Sequence, residues 1–166
     1  ELTDFLTGVG KKLTQKKIIV KLIKKKKTLW RNFSVLGPRI YLHKNIFKML
    51  AHESELAAAI SLELALINSR GSLELKSQII EDITSIPESV IEHAVEILYQ
   101  AQYDPRSLVM YLRKFQDNLT NSPYNKKELT EAIKRVYKKI TNYPPIINPI
   151  VGFNQLSQIK KRVPGL

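Results

Sequence analysis

The residues that most invite chemistry lie in one helix-forming run. Within 54–69, a stretch rich in Ala, Leu and Glu, Glu63 stands between Leu62 and Leu66. Two side chains at i and i+4 share a helix face, so ligands at that spacing converge on one metal. An acid beside the first can then act as general base for a metal-bound water. Leu62 and Leu66 have the spacing but no lone pair, so they ligate nothing and are suited to packing as an apolar pair. Glu63 between them is then a carboxylate without a metal-bound water to act on. The three histidines, His43, His52 and His93, do not repair the pattern. His52-Glu53 opens like H-E-x-x-H, but Leu56 holds the i+4 place, which leaves His52 a surface or capping role. The chain has no Cys, so thiolate catalysis, disulfides and Cys-held zinc are excluded. It also lacks a G-x-S-x-G nucleophile turn, a phosphate-binding loop and a dinucleotide fingerprint.

The elements that must position Glu63 follow from periodicity. Leu2, Phe5, Leu6, Val9 and Leu13 predict an amphipathic helix over 3–16, weakened by Gly8 and Gly10. The β-branched residues of 18–23 predict a strand, 24–27 a charged hairpin connection, and 28–35 a second strand. Gly37-Pro38 marks a turn, and alternation through Ile40 and Leu42 predicts a third strand over 39–43. Helices follow at 45–50, 54–69, 74–84, 88–101, 105–118 and 127–140. Pro87, Pro105 and Pro123 stand at or before helix starts, where a missing N–H costs least. Pro144-Pro145 and Pro149 force extended chain before a last short helix over 153–162. This order predicts an α+β fold, a small antiparallel sheet packed against several helices. The chain reads as one domain, 1–166. It divides into a helix and basic sheet (1–43), a helical part (44–141) and an extended C-terminal tail (142–166).

The 166 residues suffice for a buried core, and no apolar run approaches the length needed to span a bilayer. Glu1 in place of Met, with no signal pattern, predicts a mature or trimmed chain, with any targeting segment outside it. The net charge of +12 is uneven. Residues 1–50 hold 13 Lys/Arg against 2 Asp/Glu, 51–100 hold 2 against 9, and 101–166 hold 12 against 4. Basic ends of this kind attract anionic membranes or nucleic acid. Most of the charge is Lys, however, whereas phosphate and base recognition favour Arg forks, and the aromatics near 11–31 are too sparse for a stacking platform. Nucleic acid is therefore not expected. Lysines on a sheet edge also guard against aggregation.

The run Glu53-Ser54-Glu55-Leu56-Ala57-Ala58-Ala59-Ile60, with its strand and short helix upstream, resembles the lead-in to the active site of the BepA/HtpX-type zinc metallopeptidases. In that family the same helix continues into H-E-x-x-H, where this chain has Leu62-Glu63-Leu64-Ala65-Leu66. Ala101-Gln102-Tyr103-Asp104-Pro105-Arg106 is similar to the family's A-G-Y-D-P-R. Counted back from it, the third zinc ligand and its neighbour fall on Glu88 and Glu92 with a one-residue gap, and on Pro87 and Ile91 without one. The family's His-Pro-Pro becomes Tyr143-Pro144-Pro145, and Arg31 to Pro38 resembles a worn copy of its edge strand.

The resemblance implies a zincin-like fold that has lost its metal. It implies no catalytic residues, only a vestigial general-base position at Glu63 and vestigial metal positions at Leu62, Leu66 and Glu88. Glu92 and Tyr143 would complete an old substrate groove. No zinc or other cofactor is expected. The implied function is that of a pseudopeptidase, a non-catalytic module that binds a protein or an extended peptide by strand addition, in the bacterial periplasm or cell envelope. Two alternatives stand beside it. One is a basic module that binds an anionic membrane surface or nucleic acid through 11–31. The other is a divergent but active metallopeptidase, which requires a solvent-accessible Glu63.

Overall fold

The computed structural model describes residues 1–24, 30, 32–35, 39–69, 85–163 and 165. The elements among them are α1 (Leu2–Leu13), β1 (Ile19–Ile23), β2 (Phe33–Val35), β3 (Arg39–His43), α2 (Lys44–Met49), α3 (Glu53–Ser69), α4 (Glu88–Gln100), α5 (Arg106–Gln116), α6 (Lys126–Ile140) and α7 (Phe153–Arg162). The expected helix over 74–84, the connection at 25–27 and the Gly37-Pro38 turn lie outside the described residues.

The α+β, zincin-like expectation does not hold. The described chain is mostly a helical bundle, and its one small sheet is not antiparallel throughout. The strand order is β1-β3-β2. β1 runs parallel to β3, with Ile19 opposite Arg39 and Ile23 opposite His43, and β2 runs antiparallel on the other side of β3. The antiparallel reading assumed that successive strands pair through a charged hairpin. Instead β1 passes over its neighbour in sequence and pairs with β3, and nothing local to 18–27 encodes that choice.

α3 is the axis of the bundle. All residues from Glu53 to Leu66 are buried, and it packs against α1, α4, α5 and α7. Helices that crowd in from several sides need small side chains between them, and Ala57, Ala58, Ala59 and Ala65 supply these. Around this axis each helix turns an apolar stripe inward: Leu6, Val9 and Leu13 of α1, Val90, Ile91, Ala94 and Leu98 of α4, Leu108, Leu112 and Phe115 of α5, and Leu129, Ala132 and Val136 of α6. Gly10 of α1 does more than weaken its helix. A Cβ there would sit 2.4 Å from Ile18 Cδ1, so the missing side chain lets the approach to β1 lie against the helix.

Local chemistry fixes the ends. His43 Nδ1 accepts from Asn45 N at 3.2 Å and caps α2. Asp104 Oδ1 accepts from Arg106 N at 2.9 Å ahead of α5, and Asn125 Oδ1 accepts from Glu128 N at 2.9 Å to cap α6. After α4 the chain turns through Gln102, which is left-handed at φ 64°. That turn sends Tyr103 back into the core, where it is fully buried. The segment after α6 crosses back over the bundle. Ile150 N donates to Gln102 O at 2.9 Å, and Ser54 N donates to Val151 O at 3.2 Å. α7 then docks through Leu156.

Candidate functional site

The residues expected to line one groove occupy three different environments. Leu62, Glu63 and Leu66 are interior, at 2%, 5% and 6% exposure. Glu88 is exposed at the start of α4, and Glu92 is half-buried one turn on. Glu92 and Tyr143 both lie near Lys139 of α6. Lys139 Nζ sits 3.1 Å from Glu96 Oε1 and 5.9 Å from the centre of the Tyr143 ring. The ion pair holds the Glu96 carboxyl below its ordinary range and the Lys139 ammonium above its own. Sequence reasoning thus picked two residues that share a neighbour, Glu92 and Tyr143. Its other picks went to the core or to open solvent.

Glu63 belongs to a buried polar group at the junction of sheet and helices. Asn32 Nδ2 donates to the Tyr111 hydroxyl at 2.9 Å, and Asn32 Oδ1 accepts from His43 N at 2.8 Å. The Tyr111 phenol is held well above its ordinary pKa, first by burial, then by Tyr124 and the Glu63 carboxylate. This neighbourhood ties β3 to α5 and is nearly closed to solvent.

The donor set does not fit zinc. Leu62 and Leu66 offer no lone pair, and among the described residues no three His, Asp or Glu side chains are placed to share an ion. The histidines are put to other uses. His43 caps α2, the His52 carbonyl accepts from Glu55 N and Leu56 N at the start of α3, and His93 lies between Asn68 at 3.0 Å and Glu96 at 3.5 Å.

Tyr143 opens onto accessible space. Its ring stacks on Tyr99 with centroids 4.5 Å apart and planes 28° apart. The pair forms part of a cleft of about 220 Å³, completed by Pro105, Ile140, Pro144, Pro145, Ile146 and Pro149, with the Asp104–Arg106 ion pair at its edge. Burial raises the Tyr143 phenol above its ordinary pKa, reinforced by Glu96, so the hydroxyl stays protonated and able to donate near neutrality. Ile147, just outside, is 86% exposed.

Sequence reasoning missed the two buried carboxylates at the head of α3. Glu53 is 1% exposed. It accepts from Tyr103 Oη at 2.6 Å and pairs with Lys12 Nζ at 2.7 Å. Glu55 is fully buried. It accepts from Ala51 N at 2.6 Å and faces Lys114 Nζ at 3.5 Å. Acids in a first turn favour the helix dipole, and these two also gather α1, α5 and the α4–α5 turn onto α3. The signal in the sequence was the pair of acids itself, but their side-chain partners stand 41 to 59 residues away.

No protein-family model matches the chain, and no curated protein sequence matches it. Among the described residues no helix is long and apolar enough to cross a membrane.

Proposed function

We propose that the chain is a non-catalytic binding module that holds an extended apolar segment of a protein partner in the cleft beside Tyr143. The observation that carries this reading is a contrast. Glu63, the carboxylate that the resemblance singles out, is buried at 5% exposure, whereas the cleft beside Tyr143 is walled by stacked aromatic rings and prolines. Aromatic and proline walls suit an extended peptide, whose pre-set backbone loses little entropy on docking. A cleft of about 220 Å³ takes one or two side chains rather than a whole small-molecule substrate. On the β1 edge strand addition is less favoured, because the Val20 N–H already donates to Thr7 Oγ1 at 3.1 Å. A place in the bacterial cell envelope rests on the family resemblance alone.

The test is to select peptides from a random display library on the purified protein and to measure their affinity by calorimetry. Tyr143→Ala should weaken the selected peptides by about 2 kcal/mol, the scale of an aromatic anchor. Selected peptides that bind this variant as well as the parent would refute the cleft. One tightly held zinc per chain, together with proteolysis abolished by Glu63→Gln, would refute the non-catalytic reading.

A further inference from the structure

The parallel pairing of β1 and β3 has an electrostatic result. Ile23 stands opposite His43, so the next residues, Lys24 and Lys44, leave the same end of the sheet side by side. Lys48 follows Lys44 by one turn on α2. The last turn of α7 carries Lys160 and Lys161, and Lys160 Nζ donates to the carbonyls of Lys48, at 2.9 Å, and of Leu50 at the end of α2. Lys44 Nζ donates to the Gly165 carbonyl. Segments far apart in sequence thus bring five lysines onto one face, beside a cleft of about 360 Å³ floored by Leu50 and Ala51 and rimmed by Ser157, Lys160 and Lys161.

The described carboxylates do not neutralise this face. Glu55 interacts with Lys160 but pairs with Lys114 at 3.5 Å, and Glu1 pairs with Arg162 at 3.0 Å. The crowding is felt: the Lys44 ammonium is held below its ordinary pKa by burial and then by Lys24 and Lys48. Like charges gathered without counter-charge oppose the compact state, and a multivalent anion relieves that opposition. The cations are lysines, point charges without a planar fork, and the Arg162 side chain is already engaged. They suit many phosphates presented over a surface better than bidentate reading of single groups or of base edges.

We infer that the face carrying the exposed Lys24, Lys48 and Lys161, with Lys44 and Lys160 tied to backbone carbonyls beside them, docks onto the phosphate headgroups of an anionic lipid bilayer. The contact is peripheral and held by charge, so it weakens as salt rises. It is independent of the Tyr143 cleft, and either can fail without the other.

The test is sedimentation of the whole protein with vesicles of phosphatidylcholine alone, or of phosphatidylcholine mixed with phosphatidylglycerol. Binding is expected to the mixed vesicles only. The exposed lysines Lys24, Lys48 and Lys161 leave the described bonds intact when replaced, so Lys24→Gln/Lys48→Gln/Lys161→Gln should fold as the parent does, checked by thermal melting. At about fivefold per lysine, the triple variant should lose affinity on the order of 100-fold. Lys126→Gln/Lys127→Gln/Lys134→Gln on α6 removes the same charge elsewhere and should lose no more than about threefold. Equal losses in the two triples would show bulk charge rather than this face and overturn the inference. So would equal binding to both vesicle types, binding to neither, or displacement from the mixed vesicles by duplex DNA at matched phosphate concentration.

Discussion

Removing the carboxylate of Glu53 probes the joint that holds the head of α3. The group is 1% exposed and accepts from the buried Tyr103 hydroxyl at 2.6 Å and from Lys12 Nζ at 2.7 Å. Burial, together with the Glu53 carboxylate, raises the Tyr103 phenol far above its usual range, so it remains a donor at all working pH values. In Glu53→Ala the charge-assisted bond is lost, worth about 1.5–3 kcal/mol, and the Tyr103 hydroxyl is left buried without that acceptor. The Lys12 side chain is 47% exposed, so its ammonium returns to water and its ion pair adds at most about 1 kcal/mol. Against this stands the relief of no longer burying an ion, so the net loss should be about 3 kcal/mol. Glu53→Gln keeps an acceptor and should cost about 1 kcal/mol. Tyr103→Phe should cost about 2 kcal/mol. The double variant Glu53→Ala/Tyr103→Phe removes donor and acceptor together and should fall short of additivity by about 1.5–2.5 kcal/mol. Urea unfolding followed by circular dichroism measures all four, provided the slope with denaturant is unchanged. A loss under about 0.5 kcal/mol for Glu53→Ala, or an additive cycle, would refute the reasoning.

Two further outcomes rest on other contacts. Leu62→His/Leu66→His restores the spacing of a metal pair but buries two imidazoles in an apolar core. It should cost more than about 3 kcal/mol by urea unfolding and gain no stoichiometric zinc by calorimetry. Arg106 holds the Asp104 carboxyl below its ordinary range even though burial pushes it upward. A folded-state pKa below the unfolded one contributes stability above the ordinary carboxylate range, lost as pH falls through the folded value. Asp104→Ala should therefore cost about 1 kcal/mol near neutrality, and the difference between parent and variant should shrink as pH falls below the ordinary carboxylate range. A constant difference across that range would remove the ion pair from the account.

Much of the helical layout was legible because helices advertise themselves locally. The expected spans 54–69, 88–101, 127–140 and 153–162 fall within a residue or so of α3, α4, α6 and α7, each marked by apolar spacing or by Pro or Gly at its ends. The sheet was not legible in the same way. Three strand-forming runs in succession suggest hairpins, and only tertiary contact decides that Val20 pairs with Ile40 while Phe33 crosses to the far side of Tyr41. The site was read in part. Leu62 and Leu66 have no donor atoms, a fact that needs no structure. That Glu63 is interior, that Tyr143 stacks on Tyr99, and that Lys44 meets Lys24 all depend on packing between segments distant in the chain.

The complete enclosure of α3 between Glu53 and Leu66 bears on how such a sequence can drift. An ordinary surface helix tolerates polar replacements along one side, so its record of accepted change repeats with the turn of the helix. This helix has no outward side over that stretch, and intolerance should run through it as an unbroken band, with Ala58 as constrained as Leu56. Variation that alters what the molecule meets is left to the elements wrapped around that rod.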